Sequence, residues 1–228
     1  MAKAVVREPL RSNSRANRAR ILATARRELG RNPDVTLEEL ARAAGVVRRT
    51  LFGHFPGREA LLEALAEEAS EALRGALAAG AGFTEAEPAE RAEPAERAPA
   101  EREFAHLVFS IWPVGDRYRL LLALARHDLG AERVAEVLAP ARDRATAILE
   151  RGQRDGVFHT HLPAAVLSAG LEAMTVALLE AVNTGELEDD GTRAAVSTLI
   201  AAGVPQERAR AVVASVASTA VTRPASDD

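Results

Sequence analysis

The sequence predicts an all-α protein, with a small N-terminal helical domain followed by a larger helical one. Three observations predict it. Alanine, leucine, arginine and glutamate dominate the composition, and all four are strong helix formers, while only 4% of residues are aromatic. No segment alternates apolar and polar residues as a half-buried strand would. Instead, apolar residues recur at three- and four-residue intervals in one segment after another, and Gly, Pro and Asn punctuate them.

Residues 1–13 are expected to be a disordered basic arm. A first helix follows over Ser14–Leu29, where Ile21, Leu22, Ala25 and Leu29 share a face and Gly30 is a stop. Asn32, Pro33 and Asp34 make a turn. In "TLEELARAAG", Thr36 and Glu39 have capping-box spacing, each satisfying a backbone N–H at the other's position, and Gly45 ends this second helix. A third, short helix spans Arg48–His54 and is broken by Pro56-Gly57. From Arg58 a long helix runs towards Gly80, with Leu61, Leu62, Leu65, Ala69, Leu73 and Leu77 as its apolar stripe. The degenerate repeat "AEPAERAEPAERAPAER", residues 86–102, carries Pro88, Pro94 and Pro99 and no large apolar residue, so a flexible linker is expected. Further helices are expected at Glu101–Ile111, Asp116–Leu129, Ala131–Gly152, Pro163–Asn183, Thr192–Ala202 and Gln206–Ala220.

The chain contains no cysteine, which excludes disulfides and thiolate metal sites and fits a reducing, cytoplasmic setting. The basic N-terminus lacks the apolar segment of a secretory signal. Leu162–Val182 is apolar enough to suggest a membrane span. It carries Glu172 near its middle and Glu180 near its end, however, and has no basic flank, so a buried helix of a protein without a membrane partner is expected. The net charge of −4 hides an asymmetry. Residues 1–60 hold 13 Lys and Arg against 6 Asp and Glu, a balance of +7; the remainder holds 16 against 27, a balance of −11. A polyanion would be attracted to the first part and repelled by the second.

Two short helices joined through "AAGV" read as a helix-turn-helix, with Gly45 at the turn position that needs φ > 0. Leu51 and Phe55, four residues apart, point together into a small core with Leu40, Ile21 and Leu29. That leaves Arg48, Arg49, Thr50, Phe52, Gly53 and His54 for the outer side. Arginine pairs bidentately with a guanine edge, threonine and histidine reach phosphate or base atoms, and glycine permits close backbone approach.

"TLEELARAAGVVRRTLFGHFPGREALLEAL" resembles the DNA-binding signature of TetR-type transcriptional regulators, and "RARILATARREL" is similar to the first helix of that family. The match covers about residues 15–65. The resemblance implies a bacterial, cytoplasmic, ligand-responsive regulator, a repressor. It would bind a near-palindromic duplex DNA operator as a homodimer and be released by a small-molecule effector. It would be no enzyme and need no cofactor. Carried over by position, Arg48, Arg49, Thr50, Phe52, Gly53 and His54 would face DNA, while Thr36 and Arg58 would hold phosphates. The chain departs from the family at three positions: Phe52 stands for a usual tyrosine, Val47 for a small polar cap, and Arg58 for a lysine. The domains expected are then a DNA-binding domain at 14–59 and a ligand-binding and dimerisation domain at 60–228.

Within that second domain, Pro163–Asn183 is apolar nearly all round, with small residues at Ala164, Ala165, Ser168, Ala169, Gly170, Ala173 and Ala177. One side suits its own domain and the other a second subunit, with Gln206–Ala220 packed beside it. A ligand pocket between helices would draw on the aromatic residues Phe104, Phe109, Trp112 and Tyr118, together with His106, His127 and Met174. Two alternatives stay open. One is a helical metal-dependent enzyme using the "FHTH" loop, with His159 and His161 joined by His127 or Asp128. A His-x-His pair faces one way only on a strand, and here it lies in a loop. The other is a structural helical adaptor, which leaves the +7 segment unexplained.

Overall fold

The computed structural model describes residues 7–81 and 98–221. They form nine helices: α1 Arg7–Arg31, α2 Leu37–Ala43, α3 Arg48–His54, α4 Arg58–Ala81, α5 Ala100–Asp128, α6 Ala131–Arg154, α7 Ala164–Asn183, α8 Thr192–Ala201 and α9 Gln206–Val221. Among the described residues there is no strand. The chain divides into two compact units. The first takes residues up to Ala69 together with Leu120–Val137; the second takes Ser70–Arg119 and the chain from Leu138 onward. The first unit thus holds stretches of α5 and α6 together with the N-terminal helices.

In the first unit α1, α2 and α3 pack on one another. Ile21, Leu22, Ala25 and Leu29 from α1 meet Leu40 of α2 and Leu51 of α3 in a core from which water is excluded, each at most 3% exposed. Phe55, just after α3, closes it at 2%. Removing these side chains from water is the main stabilising term for so small a set of helices.

Three expectations about elements need correction. Residues 7–13, assigned to a disordered arm, are helical and belong to α1, which also runs one residue past Gly30. Pro9 does not prevent this, because a proline in the first turn forfeits only an N–H that has no helical acceptor. Residues 1–6 lie outside the described residues. The helices expected at Glu101–Ile111 and Asp116–Leu129 are one helix, α5, which passes through Pro113. Proline there removes one backbone hydrogen bond, yet Leu107, Val108 and Trp112 before it and Tyr118 after it are buried, so packing holds both halves in line. Finally, residues 100–102 are not linker. Pro99 accepts the backbone N–H of Arg102 and of Glu103 and so opens α5, and Ala100 and Glu101 are buried. The rest of the expected linker, 86–97, lies outside the described residues.

The second unit is built around Phe104, Ala105, Ile148, Leu149 and Leu199. Phe104 meets Phe158 edge-on, with ring centroids 6.1 Å apart. α8 begins where Gly191 turns with φ 101°, a left-handed conformation that suits glycine. The Asp189 carboxylate there accepts the backbone N–H groups of Gly191, Arg193 and Ala194. α9 packs on α8, and α8 on α7.

α7 buries one side within the single chain and leaves the other exposed. It is long and apolar enough to cross a membrane, with a mean hydropathy of 1.7, but only 22% of it is buried. Ala164, Leu167, Ser168, Leu171 and Leu179 face inward. Ala165, Val166, Ala169, Gly170, Ala173 and Ala177 lie exposed on the other side. Glu172 is held by Arg142 of α6 through two hydrogen bonds of 2.8 Å, so the carboxylate is paired inside the unit.

Candidate nucleic-acid interface and ligand cleft

The helix-turn-helix is fixed by local bonds. Thr36 caps α2: its hydroxyl oxygen accepts the Glu39 N–H at 3.2 Å, and the Glu39 carboxylate accepts the Thr36 N–H at 2.9 Å and its hydroxyl at 2.8 Å. The Thr36 backbone N–H, and then its hydroxyl, hold the Glu39 carboxyl below its ordinary range. After α2, Gly45 takes φ 63°, and Val46 donates back to the Ala41 carbonyl. This reverses the chain in a step short enough for α3 to start at Arg48.

α3 spans one apolar and one polar side. Leu51 is fully buried, whereas Arg48, Arg49 and Gly53 are exposed and Thr50, Phe52 and His54 are half-buried. The Arg48 side chain is 70% exposed. It forms a 2.9 Å ion pair with Glu38 and lies 5.0 Å above the Phe52 ring. Phe52 therefore faces the same side as the arginine. Val47 occupies the cap position of α3 with no side-chain hydrogen bond and is itself 70% exposed. The surface offered by α3 combines two guanidiniums, a hydroxyl, an imidazole and a bare backbone position.

Two residues expected at phosphates are engaged within the fold. The Thr36 hydroxyl is committed to its capping box, although the residue is exposed. Arg58 donates to the Pro33 carbonyl at 2.6 Å, the Val35 carbonyl at 3.2 Å and the Asp128 carboxylate at 3.1 Å. It ties the loop before α2 to the end of α5, both inside the first unit. A guanidinium that reaches three separate acceptors acts here as a clamp. Asp128 also accepts from the His127 ring at 2.8 Å, and that bond, followed by Arg58, draws its carboxyl below the ordinary aspartate range.

The second unit contains a cleft of about 310 Å³, counted to its open mouth, between α4, α5 and α6. Leu77, Leu107 and Ile148 supply apolar wall, and Glu103, His106, Ser110 and Arg144 supply the polar groups. Burial, and then the charge of Arg102, push the His106 imidazole below its ordinary value, so it is neutral at pH 7. Of the seven residues expected to line a pocket, His106 alone lies on this cleft. Phe104, Trp112 and Tyr118 are core, each at most 4% exposed. Phe109 and Met174 are half-buried elsewhere, and His127 is exposed in the first unit. In the "FHTH" loop the His159 and His161 rings stack at 5.2 Å, and His159 Nε2 lies 3.1 Å from the Ala201 carbonyl oxygen. Among the described residues no three His, Asp or Glu side chains gather as a metal site.

Residues 21–65 match the sequence profile of bacterial regulatory proteins of the tetR family. The helix-turn-helix segment therefore carries the tetR-family pattern. The matched span contains the capping box, the Gly45 turn and all of α3. No curated protein matches the chain in sequence. Solved structures extend the likeness to the fold as a whole. A gamma-butyrolactone receptor, an ArpA-like protein, matches over 91% of this chain and 99% of its own with 20% identity and a TM-score of 0.67. A tetR-family regulatory protein from Rhodococcus RHA1 matches over 83% and 98% with 17% identity and a TM-score of 0.65. CprB from S. coelicolor A3(2), a TetR-family protein, matches over 90% and 98% with 19% identity and a TM-score of 0.64.

The pairs at the cleft and at the Arg58 clamp leave no local signature in the sequence. Glu103 and Arg144 are 41 residues apart, and Arg58 and Asp128 are 70 apart. No spacing rule reports such pairs. A legible signal did exist for Glu101 and Glu103: two acidic residues directly after Pro99, where a helix N-terminus attracts negative charge.

Proposed function

We propose that the protein is a ligand-responsive transcriptional regulator that binds a near-palindromic duplex DNA operator as a homodimer, represses from it, and is released by a small molecule. The observation that carries this reading is the outer side of α3, where Arg48, Arg49, Thr50, Phe52, Gly53 and His54 are all accessible while Leu51 and Phe55 anchor the helix. The +7 balance of residues 1–60 supports the same partner. Charge alone would bind any polyanion; two guanidiniums at the opening of a short helix add the means to distinguish bases.

The exposed apolar side of α7 supports the dimer. Val166 is 53% exposed and Ile200 of α8 is 40% exposed, beside a row of alanines and Gly170 that permits close approach of another helix. A second copy contributes the same surface, and a two-fold operator then matches a two-fold protein. The helix-lined cleft of the second unit supports a small-molecule effector.

The test is selection of bound sequences from random duplexes, followed by affinity measurements on the selected operator. Arg48→Ala and Arg49→Ala are each expected to lose about 1–3 kcal/mol if the arginine pairs with a base, and to relax specificity locally. Unchanged affinity in both would remove α3 as the reading element.

A further inference from the structure

The charges around the second-unit cleft do not balance. The Glu103 carboxylate, 8% exposed, is bonded by both Arg144 and Arg151. One carboxylate against two guanidiniums leaves one positive charge, and among the described residues no other acid lines the cleft. His106 adds none, being neutral, and Arg102 next to it in sequence adds to the positive side.

The surplus faces the cleft. Arg144, 40% exposed, gives one N–H group to Glu103 at 2.6 Å, and the rest of its guanidinium has no partner among the described residues. Ser110 presents a half-buried hydroxyl on the same wall, also unpartnered among the described residues. Opposite it stands Gly80, where a Cβ would lie 2.7 Å from the Ser110 oxygen. The absence of a side chain at position 80 keeps room for that hydroxyl. Leu77, Leu107 and Ile148 complete the cleft with apolar surface.

We propose that this cleft binds a small monocarboxylate with an apolar body, its carboxylate held by Arg144 and Ser110 and its body against Leu77, Leu107 and Ile148. Guanidinium and carboxylate match as planar, two-pronged partners, and a single negative charge cancels the surplus. A cationic ligand would meet the surplus positive charge of the two guanidiniums. The proposal deepens the effector reading above and rests on it for its biological meaning, while the binding itself does not.

The test is calorimetric titration of the full-length protein with benzoate and octanoate, and with benzamide as a neutral, near-isosteric control. At least one acid should bind, and benzamide should bind at least about tenfold more weakly than benzoate wherever benzoate is the ligand. Arg144→Gln should lose at least about tenfold for the acid, and Arg144→Lys should fall between, since it keeps the charge without the fork. Arg151 remains to hold Glu103 in both variants, and thermal unfolding checks that they fold. Failure of both acids to bind, equal binding of benzoate and benzamide, or unaltered binding in folded Arg144→Gln would each overturn the proposal. The same acid is then added to the protein–operator complex. Binding by calorimetry without operator release keeps the anion site and refutes the effector reading. Sequence-specific operator binding with no anion bound does the reverse.

Discussion

Replacing Arg58 by alanine separates two roles for one cation. The side chain reaches Pro33 O, Val35 O and Asp128, and is 36% exposed. A hydrogen bond to a charged group contributes about 1.5–3 kcal/mol, but partial exposure lets water replace the lost partner, so each carbonyl bond is worth about 1 kcal/mol here. The ion pair with Asp128, near the surface, adds between about 0 and 1 kcal/mol. The total is about 2–3 kcal/mol. In a chain of this size about 1 kcal/mol moves a thermal midpoint by roughly 2–4 °C, so Arg58→Ala should lower the midpoint of the first unit by roughly 4–12 °C. Arg58→Lys should recover only a part, because one ammonium cannot span two carbonyls and a carboxylate. Thermal unfolding followed by circular dichroism, with operator affinity by fluorescence anisotropy, measures both quantities on one sample. A midpoint within about 1 °C of wild type, combined with weakened DNA binding that lysine restores, would refute the clamp and return Arg58 to a phosphate.

Val47→Ser should stabilise the first unit by about 1 kcal/mol in the same unfolding assay, since it supplies the side-chain cap that α3 lacks and removes an exposed apolar group. Phe52→Tyr should tighten operator binding several-fold, and equally on matched and mismatched operators, because a hydroxyl on the ring under Arg48 gains a phosphate rather than a base. A loss of affinity there would place the ring against a thymine methyl instead. Ala173→Glu should give a folded protein of monomer mass by light scattering and weak operator binding, as a carboxylate on the exposed side of α7 cannot be buried unpaired against a second copy.

What could be read from the sequence was what repeats within a turn or two of helix. The α3 boundaries, Arg48 to His54, follow from Gly45 on one side and Pro56-Gly57 on the other. The burial of Leu51 and Phe55 follows from their four-residue spacing. Proline is ambiguous in sequence. Pro113 lies between two expected helices, yet buried neighbours on both sides outweigh one missing hydrogen bond. Pro99 lies in the expected linker, yet it is the residue that starts α5. α7 is legible in length and in having more than one apolar side, of which the single chain covers one. Among the described residues no Phe, Trp or Tyr lines the cleft, so no aromatic pattern marks it in the sequence. Its character comes from Arg144 and Glu103, each of which on its own in the sequence looks like a solvated surface charge.

Arg48 is engaged before any DNA arrives, and that sets up a competition. Its partner Glu38 lies 2.9 Å away on α2, with the two side chains 70% and 46% exposed. An exposed pair of this kind is worth between about 0 and 1 kcal/mol. A bidentate contact with guanine is worth about 1–3 kcal/mol in discrimination, so exchange of Glu38 for a base is favourable, but the pair is a toll on it. Glu38→Gln removes the competitor and one negative charge from a surface that must approach phosphates. Operator affinity should rise by up to about 1 kcal/mol, a factor of no more than roughly five. The unit should lose a few tenths of a kcal/mol of stability, because Glu38 sits in the first turn of α2 where a helix favours negative charge. The gain should disappear when Arg48 is already alanine, as a double-mutant cycle on the operator would show. Suppose instead that Glu38→Gln weakens binding while Arg48→Ala also weakens it, and the two effects are not additive. Glu38 would then be holding Arg48 in its DNA-bound rotamer, and the competition argued from the free structure would be wrong.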